Sequence, residues 1–409
     1  MTQALHIIIA GAGIGGLSAA LALHREGFRV TVLEQAQELR ELGVGIQMSP
    51  NGIGILYRWG LEKEINAIGQ YTIESPKYSR DGVLIRTRPC GIPGGFEFPH
   101  IAVHRGKLQL MMYQALCARA GIEVVKSGRH IDSFAVDADG VTVTATHRAD
   151  GAIEIYRGDL LIGADGIHSV VRKHFYPEKN PHYTGYVIWR GILPIEKFRH
   201  EKQTVGATST WGDGNSFFNY YYMNKEQISF SICCPVGQSD DVVESWSGLG
   251  NADEVREFFG DCAGPLNTCL DNMTLLMKMF VHDHETLPRW SFDRVTLMGD
   301  AAHAMLPFAG QGAASAMEDA EKLAAELKQV TSNTVADILA ACQRYEAERL
   351  PATAKVRDYC RERGGIFEEY LAVEKMTDNR WKDLPLAEKE NIIAGIDWAN
   401  QETFLRKFY

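Results

Sequence analysis

Residues 5–34 read LHIIIAGAGIGGLSAALALHREGFRVTVLE. An apolar run from Leu5 to Ala10 gives way to a glycine-rich turn, then to a helical pattern carrying Leu17, Ala20, Leu21 and Leu23. Gly27 ends that helix, and Phe28 to Leu33 reads as the next strand, closed by Glu34. Strand, glycine turn, helix, strand and acid in this order make a βαβ unit of about thirty residues. Gly11 permits the tight turn, Gly13 lets the backbone approach a pyrophosphate, and Gly16 lets the helix pack close to the strand. The amides at the helix start, around Ile14 and Gly15, present the positive end of the helix dipole to phosphate. Glu34, followed by Gln35, stands where an acid takes a ribose 2′-hydroxyl. That acid disfavours a 2′-phosphorylated ligand but does not separate FAD from NAD.

Working outward, 409 residues are too many for one ordinary core, so at least two packed units are expected. The composition, 45% hydrophobic and 23% charged, is that of a soluble globular protein. A formal charge of -10 argues against a nucleic-acid surface, which needs clustered Lys and Arg. No apolar stretch approaches the roughly 20 residues of a membrane-spanning helix. The amino terminus shows no secretory pattern, and none of the eight cysteines forms a Cys-x-x-Cys pair. No metal site is therefore expected, and reduced thiols in a cytoplasmic protein are the simplest reading.

From about Thr72 to Glu97 the pattern loosens around Ser75-Pro76, Pro89, Pro93 and Gly94-Gly95. His104 to Ala120 reads as a helix, and Ile122 to Val125, Ile131 to Val136 and Val141 to Ala145 as strands. The segment from about Pro181 to His284 is rich in aromatic and β-branched residues, notably Phe217-Phe218-Asn219-Tyr220-Tyr221-Tyr222, which predicts an antiparallel sheet. Two buried-looking strands end in Asp165-Gly166 and Gly299-Asp300, placing carboxylates where open α/β sheets bind ligands. A helix follows from about Gln311 to Leu327, and the rest reads as helical. The expected architecture is α/β with interleaved units: a nucleotide-binding domain from 1–71, 97–180 and 285–363, a substrate-binding sheet domain from 72–96 and 181–284, and a helical segment over 364–409. In that segment Trp381, Trp398, Phe404 and Phe408 imply either packing onto the body or a subunit contact, so a homodimer stays open.

The motifs together resemble those of the single-component flavoprotein monooxygenases, the aromatic hydroxylases related to salicylate, 3-hydroxybenzoate, 4-hydroxybenzoate, 6-hydroxynicotinate and phenazine-carboxylate monooxygenases. The match runs over roughly residues 5 to 360. It comprises the glycine turn, Glu34, the Arg40-x-x-Gly43-x-Gly45-Ile46 loop, His104-Arg105-Gly106, both Asp motifs, Pro307, Gly310-Gln311-Gly312 and Glu318-Asp319-Ala320. The resemblance implies a Rossmann-like FAD-binding fold. Glu34 would hold the adenosine ribose, Arg105 would reach the pyrophosphate, and Asp300 would bind a ribityl hydroxyl. Asp165 and Gly166 belong to a motif linked to both FAD and the nicotinamide cofactor. Gly310, Gln311, Gly312, Ala313 and Ala314 would set a helix start beside the flavin N1 and C2 carbonyl, where reduced flavin carries negative charge. His303 is expected to be structural. Asp283-His284 departs from the usual Asp-Arg, and no second fingerprint exists for NADH or NADPH, which in this family binds transiently.

The resemblance also implies the reaction. NAD(P)H reduces the flavin, O2 forms a C4a-hydroperoxide, and its distal oxygen goes to an electron-rich ring. In hydroxynicotinate- and hydroxybenzoate-type relatives a His and a Tyr four residues later line the substrate; that spacing lands on Ser216 and Tyr220, with Tyr222 on the same strand face. Gln47 is placed to hydrogen-bond a ring substituent, and Pro307 and Phe308 to form an apolar wall. Arg190 is the nearest candidate cation, and the family pattern implies a structural part for it. A phenolic or hydroxypyridine substrate, fairly neutral or heteroaromatic, is therefore expected. An NAD-dependent dehydrogenase would lack both Asp motifs, and a non-catalytic escort protein on this fold would need no intact flavin site. An oxidase, epoxidase or oxidative decarboxylase on the same scaffold is the alternative chemistry.

Overall fold

The computed structural model describes residues 5–41, 43–201, 205–237, 248–396 and 398. Its first sheet is built around the strand His6–Ala10, which pairs in parallel with Arg29–Glu34 on one side and Leu160–Gly163 on the other. Val125–Ser127 extends it beyond the first neighbour and Val295–Leu297 beyond the second, with Ser291–Phe292 antiparallel at the edge. Ile7, Ile8 and Ile9 are all fully buried. A parallel strand covered on both faces needs such a continuous apolar run. The helix Ile14–Arg25 packs between Arg105–Ala120 and Gly312–Leu327. A three-stranded antiparallel sheet, Arg129–Val136, Val141–His147 and Ile153–Gly158, joins the same core through Ile131, Phe134, Val141 and Val143. Ile122–Val124 forms a single 3-10 turn, and the strand expected there begins at Val125.

The second large sheet has eight strands, in the order Gly248–Leu249, Leu275–Asp283, His182–Pro194, Gln227–Pro235, Phe217–Tyr222, Thr208–Gly212, Glu74–Ser79 and Leu84–Pro89. The turn-rich stretch after Thr72 is thus a hairpin at its edge. Its prolines mask this in sequence, but Pro89 ends the edge strand, where a missing N–H costs no ladder bond. The helices Ala252–Phe259 and Leu266–Asn272 cover one face, over Trp189, Phe218, Tyr220 and Phe230.

A small sheet of Gly45–Met48, His100–His104 and Gly69–Thr72 stands on the opposite face. Gly45 pins the two together. Its N–H donates to Ser229 Oγ at 3.1 Å, Arg190 donates to its carbonyl, and a Cβ there would lie 2.6 Å from Ser229 Cβ.

After the long helix Val335–Arg361 the chain returns over the edge hairpin as Gly365–Phe367, Glu368–Met376, Trp381–Asp383 and Leu386–Ala394. Phe367, Tyr370, Val373 and Trp381 share one apolar cluster with Ile85, Phe217 and Phe308. Trp398 joins it and carries the Arg86 guanidinium over its ring, so this segment packs onto the body. Phe404 and Phe408 lie outside the described residues. Among the described residues, no helix is long and apolar enough to cross a membrane.

Candidate functional site: a dinucleotide crevice and the cavity beside it

Two helix starts converge at the carboxyl ends of the parallel strands. Gly15 and Gly299 both pack on Ala316, so the amino ends of Ile14–Arg25 and Gly312–Leu327 lie side by side. Gly11 adopts φ +92 and Gly16 closes on it: a Cβ on Gly16 would sit 1.9 Å from the Gly11 carbonyl oxygen. At Gly13, Gly166, Gly310 and Gly312, by contrast, a Cβ would meet no protein atom within 4 Å. The glycines that brace the turn are therefore tight, and those that would face a ligand are open.

Glu34 accepts the amides of Ala12 and Ala36 at 2.7 Å each, tying the acid to the glycine turn. Across the crevice, Asp300 and Arg105 are both exposed. The surrounding walls nonetheless depress the Arg105 pKa by burial, against the pull of Asp300 and with help from Arg190. A cation open to solvent yet flanked by protein is what a cleft for an anionic ligand requires, so these residues fit a bound dinucleotide.

Other expected cofactor residues take more structural parts. Asp165 accepts from Ser169 Oγ at 2.5 Å and from the Val170 and Val171 amides at 2.7 and 3.3 Å, capping the helix Val170–Phe175. Burial raises its pKa against those bonds. Ala314 is buried against Gly52, and Gln311 is buried in a network with Ser49 and Asn51. Arg40 is exposed and pairs with Glu38, while Gln35, also exposed, accepts from Arg148. Ile14 is buried, and Ile46 is half-buried against the main core. His303 bonds Asp319 at 2.5 Å, and Arg349 holds the other oxygen at 2.8 Å. Burial alone would raise Asp319, but His303 and Arg349 outweigh it and hold its pKa down to about 2. Asp283 takes a two-pronged bond from Arg361, and His284 bonds the Ile167 carbonyl.

Beside the crevice lies a cavity of about 260 Å³. Its roof is the turn Pro307–Ala309 with Gly310, which leads directly into the helix start at Gly312. Phe308 is fixed edge-on against Tyr186, Phe217 and Phe367. Gly365, with φ +74, seats its backbone on the Phe308 carbonyl, so the C-terminal segment closes this end. From the small sheet, Gln47 and His100 enter the lining; Gln47 Oε1 accepts from Thr208 Oγ1 at 3.0 Å. From the large sheet come Thr208, Thr210, Asn219 and Lys77, with Arg86 and Arg88 from its edge strand.

The aromatic strand faces the other way from the expectation. Tyr220 is 2% exposed, stacked on Trp211 at 5.4 Å and tilted on Phe198, beneath the covering helices. Burial pushes its hydroxyl pKa well up. Tyr222 shares that face and cluster. Ser216 donates to Asp213 in its own turn and accepts from Arg80 in the loop of the edge hairpin. None of the three lines the cavity; Asn219 does. A shift of one residue in a strand exchanges faces, so spacing alone does not tell which set lines the cavity. Arg190 takes the structural part expected of it, donating to the Gly45 carbonyl near Arg105. The cations that line the cavity are Lys77, Arg86 and Arg88. Lys77 is 3% exposed and paired with Glu369 on the C-terminal helix; burial lowers its pKa to about 8, against the pull of that carboxylate. The sequence did carry a signal for Asn219, the one non-aromatic residue in its strand. The three cations lay in a segment that reads as turns.

An open glycine turn on a parallel sheet, a second helix start beside it and a separate small-molecule cavity define a two-part flavin-type fold. The chain belongs to the FAD-binding domain family, whose model matches residues 4–359, and FAD is its cofactor. It is 34% identical to phenazine 1,6-dicarboxylic acid hydroxylase PhzS of Lysobacter antibioticus, over 87% of this chain and 89% of that one. It is 31% identical to 6-hydroxynicotinate 3-monooxygenase of Pseudomonas fluorescens, over 87% and 90%. Its fold matches that of Klebsiella pneumoniae HpxO, solved with FAD and uric acid, with a TM-score of 0.76 and 28% identity over 96% and 95% of the two chains.

Proposed function

We propose that this FAD-dependent monooxygenase hydroxylates a small phenolic or hydroxypyridine-type ring. One NAD(P)H, one proton, one O2 and one substrate give the hydroxylated ring, NAD(P)+ and water. Bound FAD supplies the electron transfer and oxygen activation. The chain's own residues place the ring and keep water out. The observation that carries this reading is the cavity itself, which lies against the Pro307–Ala309 turn and the helix start at Gly312. At about 260 Å³ it falls just below pockets for drug-sized ligands, about 300–1,000 Å³, and suits one or two rings.

Pro307 and Phe308 supply the apolar wall, and Gln47, with its oxygen taken by Thr208, has its amide nitrogen left for a ring substituent. Glu34, Arg105, Asp300 and the amides of residues 310–314 would hold the cofactor. Eight free thiols support a cytoplasmic setting. Purified protein should be yellow. A panel of phenols and hydroxypyridines should contain members that stimulate NADH or NADPH oxidation and gain one oxygen by mass. A flavin-free protein, or stimulated oxidation with no oxygenated product, would refute the reading.

One observation favours an acidic substituent over the neutral substrate expected from sequence. Lys77, Arg86 and Arg88 share the wall with Glu369 and Glu368 behind them, an excess of one positive charge. Arg88 Nε holds Glu369 at 2.8 Å, while its Nη1 lies 3.7 Å from Glu368. The same panel decides between the two, since hydroxylated ring acids should then outperform their uncharged analogues.

A further inference from the structure

Two cavity-lining residues each carry a fully buried side-chain atom with no hydrogen-bond partner among the described residues: Asn219 Oδ1 and His100 Nε2. Asn219 is 9% exposed, in a strand otherwise made of aromatic residues. Buried polar groups in folded proteins are nearly always satisfied, and leaving one unmade costs the desolvation of that group. Both residues line the cavity, and a small turn of each side chain would let one ligand bond both atoms.

The two residues come from different sheets. Gln47 pairs with Ala102, and His100 lies two residues earlier on the same strand, so Gln47 and His100 share a face. Asn219 begins a cross-strand row that continues through Thr210 and Lys77 to Arg86. The cavity therefore lies between a histidine–glutamine face and an asparagine–threonine–cation face. Burial lowers the His100 pKa to about 4, so its ring is neutral at ordinary pH and has one nitrogen to donate and one to accept. Asn219 Oδ1 can only accept.

We infer that His100 and Asn219 together hold the hydroxyl group of the substrate ring, or the ring N–H of its pyridone form. This deepens the monooxygenase reading and rests on it. The ring O–H or N–H donates to Asn219 Oδ1, and the oxygen is bonded by His100 Nε2 when that nitrogen carries the proton. Both are positioning residues, and they take the place that sequence spacing gives to Ser216 and Tyr220. The cation row then lies toward the far end of the ring from this pair.

The test uses the FAD-loaded protein and matched probes: 3-hydroxybenzoate with 3-methoxybenzoate, and 4-hydroxyquinoline with 4-methoxyquinoline. Binding is read from the change in flavin absorbance, without turnover. The wild-type protein should prefer a hydroxy probe over its methyl ether by roughly tenfold, the size expected of one or two hydrogen bonds. In His100→Phe and in Asn219→Leu that ratio should fall to within about twofold. His100→Asn, which keeps a polar group, should recover part of it. FAD content and melting temperature identify any variant that has merely misfolded, and the other variant then decides. Retention of the wild-type ratio in a folded variant overturns the inference, as does failure of both hydroxy probes to bind wild type at millimolar concentration. Intact hydroxy preference that depends on the pair, without oxygenated product from any ring, would instead refute the monooxygenase reading and leave the pair standing.

Discussion

His100 and Tyr220 show what single side chains contribute here. Burial alone depresses the His100 pKa from 6.5 to about 4, so the folded protein favours the neutral ring. The unfolded chain takes up a proton as pH falls through about 6.5, and the folded one does not until about 4. Its contribution to stability is therefore present above pH 6.5 and is lost as pH drops between those values. At pH 5 this amounts to up to about 2 kcal/mol. Urea unfolding at pH 7 and pH 5 should show a smaller acid-induced loss in His100→Asn than in wild type; equal losses would contradict the assignment. Tyr220 is the converse case. Its ring lies in the aromatic cluster behind the sheet, stacked on Trp211. Tyr220→Phe should leave KM and kcat within about twofold and change stability by about 1 kcal/mol or less. A tenfold rise in KM would return the tyrosine to the substrate. Sequence could identify the strand, but the face it presents is set by pairing with Thr208–Gly212 and Gln227–Pro235, which spacing does not encode.

Among the elements, the glycine turn was the most legible in sequence, because its function and its fold demand the same residues. Even so, its glycines do different work. Gly16 has no room for a Cβ against the Gly11 carbonyl, whereas Gly13 has open space. Gly13 also has an ordinary extended backbone, φ -67 and ψ -179. Gly13→Ala should therefore leave the melting temperature of flavin-free protein within a few degrees of wild type while lowering flavin retention on purification. Gly16→Ala should destabilise the flavin-free protein itself. Equal flavin affinity in Gly13→Ala would mean that no phosphate approaches this turn. The edge hairpin Glu74–Ser79 and Leu84–Pro89 was the least legible element. It gains its strand character from pairing with Thr208–Gly212 and from the C-terminal segment behind it, contacts that no local pattern announces.

At the scale of the molecule, four parts of the fold converge on one cavity. The parallel-sheet part brings the turn Pro307–Ala309 with Gly310, the small sheet brings Gln47 and His100, the eight-stranded sheet brings the floor, and the C-terminal segment brings Gly365 and Ile366. Glu369 fastens that segment by bonding Lys77 and pairing with Arg88, a tether that links a region without motifs to the substrate wall. Motifs disclosed the cofactor half because dinucleotide binding is local to turns and strand ends. The cavity is assembled from side chains on separate sheets, so its polar residues and its cations come together only when those sheets do. What unites the parts is oxygen transfer to a ring held beside the flavin. The most direct measurement is turnover of an accepted phenol or hydroxypyridine under 18O2 with NADH or NADPH, followed by mass analysis of the product. One atom of 18O in the product for each molecule of reductant consumed in productive turnover is the predicted result. A product free of 18O, with the consumed oxygen recovered as hydrogen peroxide, would contradict it and make this protein an oxidase.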